Sequence, residues 1–118
     1  MLMTLSKTTI LFATVVPLAI GAPGAAGQDA AAVKRGQEVY TAQKCQVCHA
    51  IAGKGGKANP LDGVGAKLSA DEIRQWITNP TEMTAKAKST KKPAMPNKYA
   101  SLPAADLDAL VAYVSSLK

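Results

Sequence analysis

Cys45, Cys48 and His49 are the residues of this chain best suited to chemistry. The 118-residue sequence holds two cysteines and one histidine, and Cys45-Gln46-Val47-Cys48-His49 gathers all three. Cys-x-x-Cys-His is the order of a covalent haem attachment site. Two thiols three positions apart on one helical turn can each add to a vinyl group of a single porphyrin, and the histidine that follows then lies under the iron. Cys-x-x-Cys alone also serves as a thioredoxin-like redox pair, but that motif expects a βαβ surround, and no alternating β-branched strand is visible. A structural zinc takes four ligands, and three are clustered here. A plain disulfide and a metal site remain as the alternatives to haem.

These side chains must be held by the elements around them. Residues 29–43 read as a helix leading into the motif, with Val33, Gly36 and Tyr40 on one face at i, i+3 and i+7. A glycine inside a helix costs about 1 kcal/mol relative to alanine, so Gly36 is expected to admit another element at close range. Residues 50–65 carry Gly53, Gly55, Gly56, Gly63, Gly65 and Pro60 and read as an irregular loop. Such a loop can lie over one edge of a ring and offer a backbone carbonyl to the imidazole. Ser69 and Glu72 form a capping box that opens a second helix, with Leu68 as a staple onto Ile73. Ile73, Trp76 and Ile77 make the apolar face of that helix, and Pro80 stops it. Asn79, Pro80 and Glu82 predict a short helix over 80–86. The chain closes with a helix over 103–118 whose core-facing stripe is Leu107, Leu110, Val111, Val114 and Leu117.

Residues 1–27 differ in composition. They carry one charge, Lys7, then an apolar run over 9–20 and a small-residue stretch ending in Ala25-Ala26-Gly27. That layout is a secretory signal peptide, with cleavage expected after Gly27. The alternative is a retained membrane anchor, because residues 8–28 are uncharged for about the length that spans a bilayer. Pro17 and the Gly/Ala-rich end argue against a spanning helix. Cleavage leaves residues 28–118, 91 in number, as one small domain with a modest core. Its aromatics are Tyr40, Trp76, Tyr99 and Tyr113, so a flat apolar cofactor would supply interior that the side chains do not.

The formal net charge of +6 falls to +5 without Lys7, and that excess resides in residues 84–98. There Lys86, Lys88, Lys91, Lys92 and Lys98 surround Pro93-Ala94-Met95-Pro96 with no acidic residue between them. Nucleic acid is a poor partner for the run, since an exported chain would not meet it and no aromatic interleaves the lysines.

Taken in order, the chain has a helix entering Cys-x-x-Cys-His, a Gly/Pro loop, a Trp-bearing helix, a Met-Pro loop and an amphipathic C-terminal helix. With these, residues 33–118 resemble a class I, monohaem c-type cytochrome of the small bacterial periplasmic type. The resemblance implies an all-α fold of three main helices, a short helix and long loops wrapped around one covalently attached haem c. It implies thioethers from Cys45 and Cys48, His49 as the proximal iron ligand and Met95 as the distal one. Gly36, Tyr40 and Tyr113 correspond to the family's crossing of first and last helices. Pro60 resembles the loop proline whose carbonyl accepts from the proximal histidine, and Trp76 resembles the tryptophan near a propionate, although the loop is shorter than in mitochondrial members. The other methionine of the 28–118 domain, Met83, falls in the predicted short helix and reads as a packing residue.

Histidine and methionine together leave the iron no open position for oxygen or peroxide, and a thioether raises its potential. The resemblance therefore implies a one-electron carrier and not an enzyme. It also implies the periplasm, because c-type maturation in this family takes place outside the bacterial cytoplasm. The lysines at 86, 88, 91, 92 and 98 are expected to face an acidic docking surface on a redox partner protein, or else only to solvate a flexible loop. A monomer is expected, with a membrane involved only if the leader is retained. The competing readings are a haem subunit of a dehydrogenase complex and a small haem enzyme whose distal position is open or displaceable.

Overall fold

The structure, a computed structural model, describes residues 29–118. The leader read over 1–27 lies outside the described residues. Helix α1 (Ala30–Ala42) starts where expected, with the Asp29 carboxylate accepting from the Ala31 amide at 3.0 Å. It runs against the last helix, α5 (Ala104–Ser115), and the two touch backbone to backbone at Gly36. Beside that crossing the Tyr40 and Tyr113 rings meet edge to face, 5.6 Å between centroids and 67° between planes, the arrangement that aromatic quadrupoles prefer.

The apolar stripe of α5 is buried at Leu110, Val111 and Val114, as its spacing predicts, together with Ala109 and Ser115. Leu107 is half-buried, and Leu117 falls beyond the helix, which stops at Ser115 and not at Lys118. Ala109 is buried because α1 comes in at Gly36, which periodicity along α5 alone does not reveal.

Helix α3 (Ala70–Thr78) opens with the complete capping box: Glu72 N–H donates to Ser69 Oγ at 3.2 Å, and Ser69 N–H to Glu72 Oε2 at 2.8 Å. Ile73 and Ile77 enter the core and Trp76 is half-buried. After Asn79 the chain turns into α4 (Pro80–Lys86), with Pro80 in its first turn and fully buried. The core is one cluster of Val39, Tyr40, Ile73, Ile77, Tyr99, Leu110, Val111 and Val114. At roughly 1.5–3 kcal/mol for each large apolar side chain, so few residues make a thin core.

The loop expected over 50–65 has more structure than its glycines suggested. Two-residue strands β1 (Ala50–Ile51) and β2 (Lys54–Gly55) pair antiparallel across Ala52-Gly53, with φ of 52° and 77°. Positive φ at both central residues is what a tight hairpin of this hand demands. A one-turn helix, α2 (Val64–Lys67), follows. It docks on the end of α5: Gly65 N–H donates to the Leu117 carbonyl at 2.7 Å, and a Cβ on Gly65 would overlap the Ser115 carbonyl. Both elements are too short to show a period, and tertiary contact settles them. The fold is nonetheless mostly helical, with the three main helices and the short one in the predicted places.

Candidate cofactor site

Helix α1 ends at Ala42 with Gln43 as its cap, and Lys44 takes a left-handed conformation, φ 58° and ψ 34°, that swings the chain into the motif. Cys45–Val47 then form a 3₁₀ turn, not a turn of α-helix. The amides of Cys48 and His49 both donate to the Cys45 carbonyl, at 3.2 and 3.0 Å. Side chains at i and i+3 eclipse in a 3₁₀ turn, so the Cys45 and Cys48 thiols share one side. Both are free. Burial pushes the Cys45 thiol above its ordinary pKa, outweighing the lowering by its own backbone hydrogen bond and by Lys98.

The hairpin supports this turn from beneath. Gly56 N–H donates to the Gln46 carbonyl at 2.9 Å, and a Cβ on Gly56 would stand 2.8 Å from the Cys48 carbonyl carbon. Only glycine allows that approach. From the core side, the Tyr40 hydroxyl donates to the His49 carbonyl at 3.2 Å, and burial pushes the Tyr40 phenol up to about 12.

The His49 ring is held by a backbone carbonyl, as expected, but by a different one. His49 Nδ1 lies 2.9 Å from the carbonyl oxygen of Asn59, so that partner is not Pro60. A residue before proline is held extended by the ring that follows it, and here the peptide so restrained is the one turned toward the imidazole. Pro60 acts one step removed, and Leu61 N–H, donating to the Ala50 carbonyl at 2.8 Å, ties the segment to β1. With Nδ1–H donating, the tautomer is set and Nε2 is the nitrogen left with a lone pair for a metal.

Cys45, Cys48, His49, Pro60, Trp76 and Met95 all line one cavity of about 640 Å³. Its walls are largely apolar, with Leu68, Ile73, Tyr99, Leu110 and Val114 among them. The volume is in the range of cofactor sites, roughly 300–1,000 Å³. Met83 is elsewhere, on a separate surface groove of about 310 Å³ with Gln75 and Lys86.

The lysines of 84–98 divide. Lys88 and Lys91 line the cavity, and Lys44 joins them there. Lys98 stands 5.3 Å from the Tyr99 ring centroid, a cation–π contact. Lys86 pairs with Glu82 at 2.8 Å and holds that carboxyl below its usual range. Sequence reasoning missed Lys44, Asn59 and Tyr99 as site residues. Adjacency to the motif and to Pro60 was the signal available for the first two.

Two thiols on one side of a turn, an imidazole oriented by a carbonyl and a thioether, all on one apolar cavity, fit a flat metallomacrocycle attached through sulfur. They define a covalent haem-binding domain. The family profile described as Cytochrome c matches residues 33–118, and the chain belongs to the cytochrome c family. Neither the curated proteins nor the solved structures compared with it give a match. The cofactor of the family is haem c, and Cys45, Cys48 and His49 form its attachment motif here. A single such motif is consistent with a small monohaem, class I member.

Proposed function

We propose that this chain is an exported, periplasmic one-electron carrier whose haem iron is held axially by His49 and Met95. Electron transfer through haem is the business of the family; the ligand set, the compartment and the carrier role are our reading. One observation carries it: Met95 and His49 line the same cavity as both cysteines, whereas Met83 does not. Haem c, when bound there, supplies a one-electron couple at its iron. The chain's part is to hold and shield it. Cys45 and Cys48 would tether it, the Asn59 carbonyl would orient the imidazole, Met95 would supply the second side-chain ligand, and Ile73, Leu110 and Val114 would cover its apolar surface. An iron held by both side chains would have no open position left for peroxide.

Lys88 and Lys91 at the mouth, with Lys92 and Lys98 exposed nearby, support docking of an acidic partner against the cavity edge. Val47, 69% exposed, leaves an apolar side chain open to solvent next to Cys48.

The test of the ligand set is the absorption of the oxidised protein. A methionine-to-iron charge-transfer band that vanishes in Met95→Ala supports the carrier. High-spin iron in the wild type that binds cyanide at once would overturn it in favour of an enzyme.

A further inference from the structure

We propose that the Thr81–Asn97 pair is a positioning device that sets how firmly Met95 is held at its site. The inference rests on Met95 as the distal ligand and adds what holds that ligand in place. Residues 90–96, which present Met95, make no backbone–backbone hydrogen bond among the described residues. Met95 packs against the core cluster, and hydrogen-bonded ties restrain the segment only near its two ends. Upstream, Lys91 Nζ reaches the Ala58 carbonyl at 3.4 Å, beyond the usual range for an N–H···O bond. Downstream, two residues after Met95, Asn97 Nδ2 donates to Thr81 Oγ1 at 2.7 Å, and that hydroxyl lies 3.1 Å from Asn97 Oδ1.

Both partners are fixed by what adjoins them. Thr81 follows Pro80, fully buried at the start of α4, and Asn97 opens the 3₁₀ turn Asn97–Ser101, whose Tyr99 is in the core. A short hydrogen bond between two anchored segments restrains the residues next to it more than a long bond from a flexible lysine does. The Thr81–Asn97 tie is thus the nearest short hydrogen bond that restrains the backbone at Met95, although neither residue lines the cavity.

The experiment uses the holoprotein. Thr81→Val keeps the side-chain shape and removes the hydroxyl. In the oxidised variant, cyanide is expected to displace Met95 about fivefold more readily than in the wild type, the factor set by one ordinary hydrogen bond. The readout is loss of the methionine-to-iron charge-transfer band, and the reduction potential is expected to fall with it. Thr81→Ser restores the hydroxyl and is expected to return both quantities to wild-type values. Wild-type cyanide affinity and potential in Thr81→Val would overturn the proposal, as would a Thr81→Ser protein that behaves like Thr81→Val. Met95→Ala separates the two readings. A charge-transfer band that persists in it would remove Met95 as ligand and the proposal with it, whereas a band lost there beside an unmoved Thr81→Val defeats the positioning role alone.

Discussion

Gly36 and Ala109 are in backbone contact where α1 crosses α5: a Cβ on Gly36 would overlap the Ala109 carbonyl oxygen and stand 2.5 Å from Tyr113 Cβ. That closeness brings Tyr40, one turn further along α1, onto Tyr113 and under the His49 carbonyl. The helix crossing and the attachment motif are therefore one mechanical unit. What fixes the distance between α1 and α5 also fixes the platform on which His49 stands.

Gly36→Ala is expected to destabilise the protein by about 3 kcal/mol, the upper part of the range for overpacking. Alanine's better helix propensity returns only about 1 kcal/mol. The steric cost prevails because the obstructing atoms are backbone and Cβ, which cannot swing aside. Chemical denaturation of the holoprotein measures it, and an unchanged midpoint would mean that α1 and α5 separate freely.

Tyr40 gives the fold an alkaline limit. In the fold its phenol titrates at about 12, against an ordinary 10.0, because burial disfavours the phenolate. The folded chain therefore keeps this proton to higher pH than the unfolded chain does. The resulting stabilisation is whole below pH 10 and is lost as pH rises from 10 to about 12. Tyr40→Phe is expected to remove that component of the alkaline fall. At neutral pH it should cost about 1 kcal/mol for the hydrogen bond to the His49 carbonyl. Denaturation midpoints collected from pH 8 to about 12 check both; parallel curves for the two proteins would contradict the assignment.

Features with a local cause were legible in the sequence. The Ser69/Glu72 box, the stop at Pro80 and the stripe of α5 each depend on neighbours within a few positions. The attachment motif was legible because its chemistry needs contiguous residues. Met95 was separable from Met83 in the sequence because prolines flank the one and a predicted helix holds the other; in the structure Met95 lines the cavity of the two cysteines and Met83 a separate groove. What stayed hidden depends on contacts distant in sequence. The carbonyl meeting His49 comes from Asn59 and not Pro60 because of how the loop docks on β1, and Gly65 is a close-approach site because α5 ends over it. Lys44 takes its left-handed turn with no glycine to announce it. The thin core, by contrast, could be anticipated from the scarcity of aromatics, because a missing interior is a matter of composition.

The lysine-rich segment predicts a salt-sensitive encounter. Lys91 and Lys92 are exposed, and neither forms an ion pair among the described residues. Replacing both with glutamate is expected to slow reaction with the natural partner about tenfold at low ionic strength and to flatten the dependence on salt. Stopped-flow rates across a salt series measure this. Rates equal to wild type at every salt concentration would leave the lysines only the role of solvating their loop.

Cys45→Ala or Cys48→Ala tests whether the cofactor is part of the fold's interior. The cavity of about 640 Å³ opens among Tyr99, Leu110 and Val114, so its contents complete the core. Without the cofactor its apolar walls at Ile73, Leu110 and Val114 would face water, at roughly 25 cal/mol per Å² of apolar surface left unburied. A small domain has only ~5–15 kcal/mol of stability from which to meet that cost. Losing either thioether is expected to lower the yield of attached haem and leave much of the remaining chain without cooperative structure. Mass spectrometry reports the attachment, and thermal melting followed by far-ultraviolet circular dichroism reports the fold. A haem-free variant that melts in one sharp transition would show that the helices close over the cavity unaided, and that the core needs nothing from outside the chain.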